Sequence, residues 1–427
     1  MAASVGTRIE SGSESSDVIA LPKDCVGASC ACSRDGRTAE RTLTRMGQPR
    51  ILHISNDFLW TKVHRNLYTQ LDRLGVRQDI FTPLRKHSNP DNNRIDFQVP
   101  GSAISLSGVL SAYHRVLFKQ KIRKLLRDLD EFGIARDCDL VHATTLFSDG
   151  ALAYELYRKY RKPYIVAVRN TDINVFLKYK PHLVFLVRKI LDNASRLVFI
   201  SQSNFDNFFA HPVVATFAGR YRSKAVVINN GIDQLWHENI CTDKRTGANE
   251  ILFIGRFDHN KNAVRLMKAF LEMLPARPHL KLRLVGGTGR RERAVRELAR
   301  RYPGNIMIHG PVDPGPELIG ICRSSDVFAM VSHHETFGLV YVEALSQGLP
   351  VLFTKGQGID GTFSENVGVA AIPTSVGDIR RGLEQIIDNY SSFDTSQVSF
   401  DRFNWANIAG RYLEMYQSIL SSPPGFR

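Results

Sequence analysis

Short apolar runs alternate with helical stretches twice along this chain, and that repetition restricts the fold more than any other feature. Strand-like runs fall at 51–58 (ILHISNDF), 79–82, 140–143, 164–169, 197–201 and 226–229. After about Leu235 the series begins again, at 251–255, 282–286, 306–310, 326–332, 351–354 and 369–372. Two successive βα series predict an α/β protein of two doubly wound units, with ligands at the C-terminal ends of the strands. A length of 427 residues is too great for one ordinary core and agrees with this. The expected divisions are a disordered tail (1–48, rich in Ser, Gly, Ala and charge), a first domain (49–235), a second (236–405) and a closing helix (406–427). The apolar residues of that last helix suit packing back toward the first domain. Met46 is an alternative start.

No apolar run approaches the ~18 residues of a membrane span, and the N-terminus has no apolar leader core. The six cysteines are scattered, as in a reduced, cytoplasmic protein. Of the net charge of +14, residues 49–235 carry +12. Such a surface attracts anionic lipid, acidic glycans or nucleic acid. The stretch 105–127 bears Lys119, Lys121, Arg123, Lys124 and Arg127 beside Leu110, Tyr113, Leu117, Leu125 and Leu126. It reads as a basic amphipathic helix, either lying on an anionic membrane surface or packing its apolar side inward. The arginines at 290, 291, 293, 296, 300 and 301 alternate with Glu292 and Glu297, which predicts an exposed, salt-bridged helix rather than a nucleic-acid patch. Two Asp-x-Asp triplets, Asp128/Asp130 and Asp137/Asp139, read as solvated charge, so no catalytic metal is expected.

The chemistry concentrates in SHHETFGLVYVEALSQGLPVLF (332–353). A strand, a loop, a helix from about Phe337 to Gln347 and a buried strand are expected, with Gly348 and Pro350 stopping the helix. Glu335 would precede the helix and Glu343 would lie within it. Between them, free N–H groups and Gly338 offer an anion a place with a carboxylate on either side. A nucleotide sugar has this polarity. In ILFIGRFDHNKN (251–262), Gly255 ends a strand, and Arg256 and Lys261 stand where a diphosphate could be clamped; the plainer alternative is a solvated loop. LRLVGGTG (282–289) is a strand entering a Gly-rich turn, and VVINNGID (226–233) reads as an interdomain turn. His142, Thr144, Arg169, Asn170 and Asp172 fall at strand C-terminal ends of the first series. His142 is a core histidine or a site residue, and Asp172 a cap or a site residue.

Taken together, Glu335 to Glu343 with Phe337-Gly338, Gly348-x-Pro350, Gly255-Arg256 to Lys261, Asn230-Gly231-Ile232-Asp233 and LVGG resemble glycosyltransferase family 4 over about residues 50–420. TKGQGIDG (354–361) is similar to bacterial polysaccharide transferases of that family. The resemblance implies a GT-B fold, two Rossmann-like domains facing across a cleft, and a retaining, metal-independent hexosyltransferase without a cofactor. The donor would be a UDP- or GDP-sugar. The acceptor would be a glycan or lipid-linked glycan of cell-envelope polysaccharide synthesis, reached from the cytoplasm or the inner membrane face. It implies that Arg256 and Lys261 hold the diphosphate and Glu343 the ribose. Glu335 would face the transferred sugar, with His142 also at the sugar. Gly255, Thr336, Phe337, Gly338 and Leu339 would complete the donor site. After its first strand this chain reads NDFLWTKVHRN (56–66), where family members often carry a Gly-Gly loop. The competing readings are a nucleotide-sugar epimerase of the same architecture and a non-enzymatic basic protein binding lipid or nucleic acid.

Overall fold

The computed structural model describes residues 8–10, 48–115, 117–179, 181–243 and 247–422. Of the expected disordered tail only Arg8–Glu10, a strand (β1), and Gln48 are described; the alternative start at Met46 and the three tail cysteines lie outside the described residues. The chain forms two compact units. The first holds the described residues up to Val166, Asn193–Ser195 and those from Tyr412 onward; the second holds Ala167–Asp192 and Arg196–Arg411.

The sheet of the first unit contains β2 (Arg50–Ile54), β3 (Arg77–Thr82), β4 (Ala103–Leu106), β5 (Leu140–Ala143) and β6 (Tyr164–Val168). Its order is β1-β4-β3-β2-β5-β6, parallel except for the β1–β4 pair. Every residue of β5 and β6 is buried, as expected of a parallel sheet covered on both faces. Helix α1 (Lys62–Arg73) starts at Thr61, whose hydroxyl accepts from the Val63 N–H, and buries Leu67, Tyr68 and Leu71.

The stretch 105–127 is not one helix. It comprises the end of β4, a turn at 112–115 and the start of helix α2 (Phe118–Phe132). Ile122, Leu125 and Leu129 of α2 face inward, so this helix spends its apolar stripe on the core. Tyr113 and Leu117, before the helix, remain exposed. The Asp-x-Asp triplets are engaged rather than merely solvated. Asp128 pairs with Lys124 at 2.8 Å, Asp137 pairs with Arg50 at 3.0 Å, Asp130 accepts from the Tyr160 hydroxyl at 2.7 Å and Asp139 from the Arg50 N–H at 2.8 Å. Helix α3 (Ser148–Tyr160) follows β5.

The second unit contains the parallel pair β7 (Arg196–Phe199) and β8 (Ala225–Val227), with helix α4 (Gln202–Ala210) after β7. It also contains a wholly parallel sheet of β9 (Glu250–Ile254), β10 (Lys281–Val285), β11 (Ile306–His309), β12 (Val327–Ala329), β13 (Val351–Thr354) and β14 (Gly368–Ala371). Its order is β11-β10-β9-β12-β13-β14. Helices α5 (Ala263–Leu271), α6 (Glu292–Arg300), α7 (Leu339–Leu345) and α8 (Val376–Asp388) cover it. Arg296–Glu292 (2.8 Å) and Arg301–Glu297 (3.1 Å) bear out the salt-bridged helix. Chain order reverses between β9 and β12, so successive crossovers leave in opposite directions and open a crevice at the ends of those two strands. Helix α9 (Trp405–Ser421) closes the chain, and its residues from Tyr412 belong to the first unit. No helix among the described residues is long and apolar enough to cross a membrane.

Candidate functional site

The reversal point of the second sheet is where the sequence-predicted residues meet. Gly255 follows β9, and the loop it opens runs through Arg256 and Lys261 to α5. Ser332 and Glu335 follow β12. The two loops are joined through Asn260. Its carbonyl accepts from the His333 N–H (2.8 Å), its side-chain oxygen accepts from the His334 N–H (2.9 Å), and its amide donates to the His334 carbonyl (3.0 Å). This zipper brings neighbouring residues together: Lys261 Nζ lies 2.7 Å from Glu335 Oε2. Glu335 Oε2 also accepts from the Ser332 hydroxyl (3.3 Å), and its Oε1 accepts from the Thr336 N–H (3.2 Å). The pair is partly sheltered, with side chains 27% and 11% exposed. Less solvent therefore screens it than an exposed pair.

Arg256 is placed differently. Its side chain is 71% exposed and its nearest acid is Asp258, at 3.6 Å. It shares a pocket mouth with Asp258, His259, Asn260, Arg290 and Arg291. The Lys261 N–H donates to Asp258 at 2.9 Å, and the Arg291 N–H donates to the Phe257 carbonyl at 2.9 Å. Arg256 thus holds an exposed guanidinium on a braced loop.

Backbone crowding explains the glycines here. Gly286, at φ +138°, lies so close to the Gly255 carbonyl that a Cβ would sit 2.0 Å from its oxygen. Gly338, at φ +83°, precedes α7, and a Cβ there would meet the Tyr341 ring at 2.5 Å. The helix itself is shorter than the expected 337–347, spanning only Leu339–Leu345. The strand before it also stops early, at Ala329 rather than Ser332. Side chains supplement the ladder there: the Tyr341 hydroxyl donates to the Met330 carbonyl, and Thr354 Oγ1 donates to the Ser332 carbonyl at 2.8 Å. Phe337 is buried in the core, where its ring lies 6.0 Å from that of Phe403, and Leu339 packs partly against the core. Thr336 presents its carbonyl to the Ser201 hydroxyl at 3.4 Å.

Glu343 lies in α7, and its carboxyl is pushed up to about 7 by desolvation, with the nearby Asp233 adding to the shift. No donor among the described residues reaches that carboxyl through a hydrogen bond or ion pair. It is a half-buried acceptor whose own fold leaves it unused, the condition expected of a group that meets ligand hydroxyls.

His142 belongs to the first unit, where it is 1% exposed, with Nδ1 2.8 Å from the Tyr416 hydroxyl. The rings of His53 and Tyr412 pack against it, each 5.2 Å away. Asn230-Gly231 is a structural turn, in which a Cβ on Gly231 would strike the Phe403 carbonyl at 2.7 Å. Asn260 and Gln357 were not singled out by sequence. Their signal was slight: an Asn beside the key Lys, and a Gln inside the Gly-rich 354–361 loop. The Glu335 N–H donates to Gln357 Oε1 at 2.8 Å.

Two family models match the chain. One, described as Glycosyltransferase Family 4, covers residues 61–234, and the other, Glycosyl transferases group 1, covers residues 241–397. The D-inositol 3-phosphate glycosyltransferase of Corynebacterium kroppenstedtii is 25% identical over 398 residues, 85% of this chain and 86% of that protein. The glycogen synthase of Mycobacterium tuberculosis is 24% identical over 209 residues, 45% of this chain; the match spans about half of that relative's length, 48%. Among solved structures, HepE of Anabaena in complex with UDP and glucose superposes with a TM-score of 0.60 at 16% identity, covering 87% of this chain and 100% of that one. The lipopolysaccharide outer core galactosyltransferase WaaB gives 0.61 at 14% identity, covering 86% and 99%. With two parallel α/β sheets and these neighbours, the fold is GT-B, built of two Rossmann-like units. The two matched models and the arrangement of residues after β9 and β12 lead to one assignment: this chain belongs to the glycosyltransferases of the family 4 type.

Proposed function

We propose that this protein moves a hexose from a nucleoside diphosphate sugar to an acceptor hydroxyl, with retention of anomeric configuration. The observation that carries the reading is the Lys261–Glu335 pair at 2.7 Å at the reversal point of the second sheet, beside an exposed Arg256 and an unused Glu343 carboxyl. UDP is the favoured donor nucleotide, since HepE was solved with UDP and glucose and a Burkholderia vietnamiensis neighbour is described as a UDP-forming trehalose-phosphate synthase.

Chemically, the bond from the anomeric carbon to the diphosphate oxygen breaks while the acceptor oxygen bonds to the same face. The acceptor proton passes to the departing phosphate. Negative charge grows on the diphosphate, where Lys261 and Arg256 meet it without a metal or cofactor. Positive charge grows on the ring, where Glu335 stabilises it. Lys261 also allows a carboxylate to stand beside a polyanion, because the pair carries no net charge. Glu343 receives the ribose hydroxyls.

The acceptor is a glycan or lipid-linked glycan of cell-envelope polysaccharide synthesis, met by a cytoplasmic protein resting on the inner face of the membrane. The charge of +12 on residues 49–235, and the exposed Tyr113 and Leu117 before the basic helix α2, support contact with an anionic surface. The deciding experiment is nucleoside diphosphate release from UDP-, GDP- and ADP-sugars, with and without membrane extract. Release from one donor, increased by extract, is expected. Acceptor-independent conversion of the sugar, or no release with no nucleotide binding, overturns the reading.

A further inference from the structure

The segment His333–Gly338 lies between β12 and α7, outside both. Glu335 stands in its middle, so neither a ladder nor a helix holds its backbone. Two side-chain amides hold it instead. The Glu335 N–H donates to Gln357 Oε1 at 2.8 Å, and the Glu335 carbonyl accepts from Asn170 Nδ2 at 2.6 Å. Each amide is kept the right way round by a second partner. Gln357 Nε2 donates to the His333 carbonyl (3.1 Å), which leaves its oxygen for Glu335. Asn204 Nδ2 donates to Asn170 Oδ1 (3.0 Å), which turns the Asn170 NH₂ toward Glu335. Space for this arrangement comes from Gly358, where a Cβ would lie 3.0 Å from Glu335 Cγ.

We infer that Asn170 and Gln357 are positioning residues that clamp the backbone of Glu335 from both sides, with Asn204 orienting Asn170. The inference rests on the catalytic reading of Glu335. A carboxylate that must face a developing charge gains from being fixed in advance, and a small displacement at a reacting centre is costly. Nothing in the clamp touches the groups assigned to the nucleotide, Arg256, Lys261 and Glu343. Its loss therefore falls on turnover rather than on nucleotide binding.

The test uses the full chain with Asn170→Asp, which keeps the shape and the acceptor but loses the donor, and Gln357→Met, which keeps the length and loses both bonds. Each is measured for UDP affinity, for kcat and again in a Glu335→Gln background. The expected result is a fall in kcat of about ten- to a hundredfold with unchanged UDP affinity, and no further fall once Glu335 is replaced. Unchanged kcat, a parallel loss of UDP affinity, or an additive loss in the Glu335→Gln background overturns the inference. If the parent protein binds UDP but turns over no donor, the transferase reading fails separately. The clamp is then read by hydrogen exchange: the Glu335 amide must exchange faster in Gln357→Met, and unchanged exchange overturns it. Should Asn170→Asp not fold, Gln357→Met at its half-buried position carries both readouts.

Discussion

Each unit has a largely parallel sheet whose order reverses once, between β2 and β5 in the first and between β9 and β12 in the second. The two reversal points are furnished in opposite ways. In the second, strand ends lead into a charged, partly open arrangement of Arg256, Lys261, Glu335 and Glu343. In the first, the polar groups are enclosed by the fold. Asp149 accepts from the Thr144 hydroxyl at 2.9 Å and from the Asn56 N–H at 3.4 Å, and burial pushes its carboxyl up to about 7. His142 is closed over by Tyr412 and Tyr416. The same topology thus makes a place where ligands can bind, and side chains decide whether it stays open.

The sharpest way to break this comparison is Lys261→Ala. Its expected cost is about 10²–10³ in turnover with the fold intact, measured by nucleoside diphosphate release and circular dichroism. Unaffected turnover would make the open site ornamental. Next comes Glu343. Removing a charge-assisted acceptor costs about 1.5–3 kcal/mol, so Glu343→Ala is expected to weaken UDP binding roughly ten- to a hundredfold. The parent should bind UDP progressively less well as pH falls through about 7, where Glu343 protonates, and Glu343→Gln should flatten that profile. The stability effect has the opposite sign. The fold favours the neutral carboxyl, so no cost is felt below the unfolded carboxylate pKa of ~4.3. The cost grows as pH rises from there and is complete above about 7. Glu343→Gln should therefore stabilise the unliganded protein at pH 8, on the order of 1 kcal/mol, read by denaturant titration.

In the closed region, Tyr416→Phe removes the 2.8 Å bond to His142. It should cost about 0.5–1.5 kcal/mol of stability and leave UDP affinity untouched; a lost affinity would tie the His142 region to nucleotide binding. The smallest effect is expected on α6. Arg296→Ala loses an exposed i,i+4 pair worth about 0.2–0.5 kcal/mol, and a larger loss would show that this helix is not merely a solvated face.

Fold class was legible because parallel strands buried on both faces appear as short apolar runs, and helices between them restore the period. β5 and β13 match their expected bounds, 140–143 and 351–354. β4 was missed. Its four residues, AISL, are buried but too short and mixed to stand out beside Gly101-Ser102 and Ser107-Gly108. In the site, Arg256, Lys261, Glu335 and Glu343 were visible because charged residues at strand ends and beside glycine are chemically distinctive. Asn260 and Gln357 were not, since an amide looks like any polar loop residue until its two bonding directions are known. The basic stretch 105–127 misled for a related reason. Its composition showed an amphipathic helix, but only the tertiary fold could show that Ile122, Leu125 and Leu129 already have an apolar home.

The near contact of Gly286 with the Gly255 carbonyl, where a Cβ would stand 2.0 Å from oxygen, leaves no room for any side chain. Two neighbouring chain segments are thereby pinned at a fixed separation, regardless of what surrounds them. A protein engineer seeking a new donor could not do so by rerouting this part of the main chain. Donor preference has to be rewritten in the side chains mounted on it, with the path itself serving as an immovable chassis.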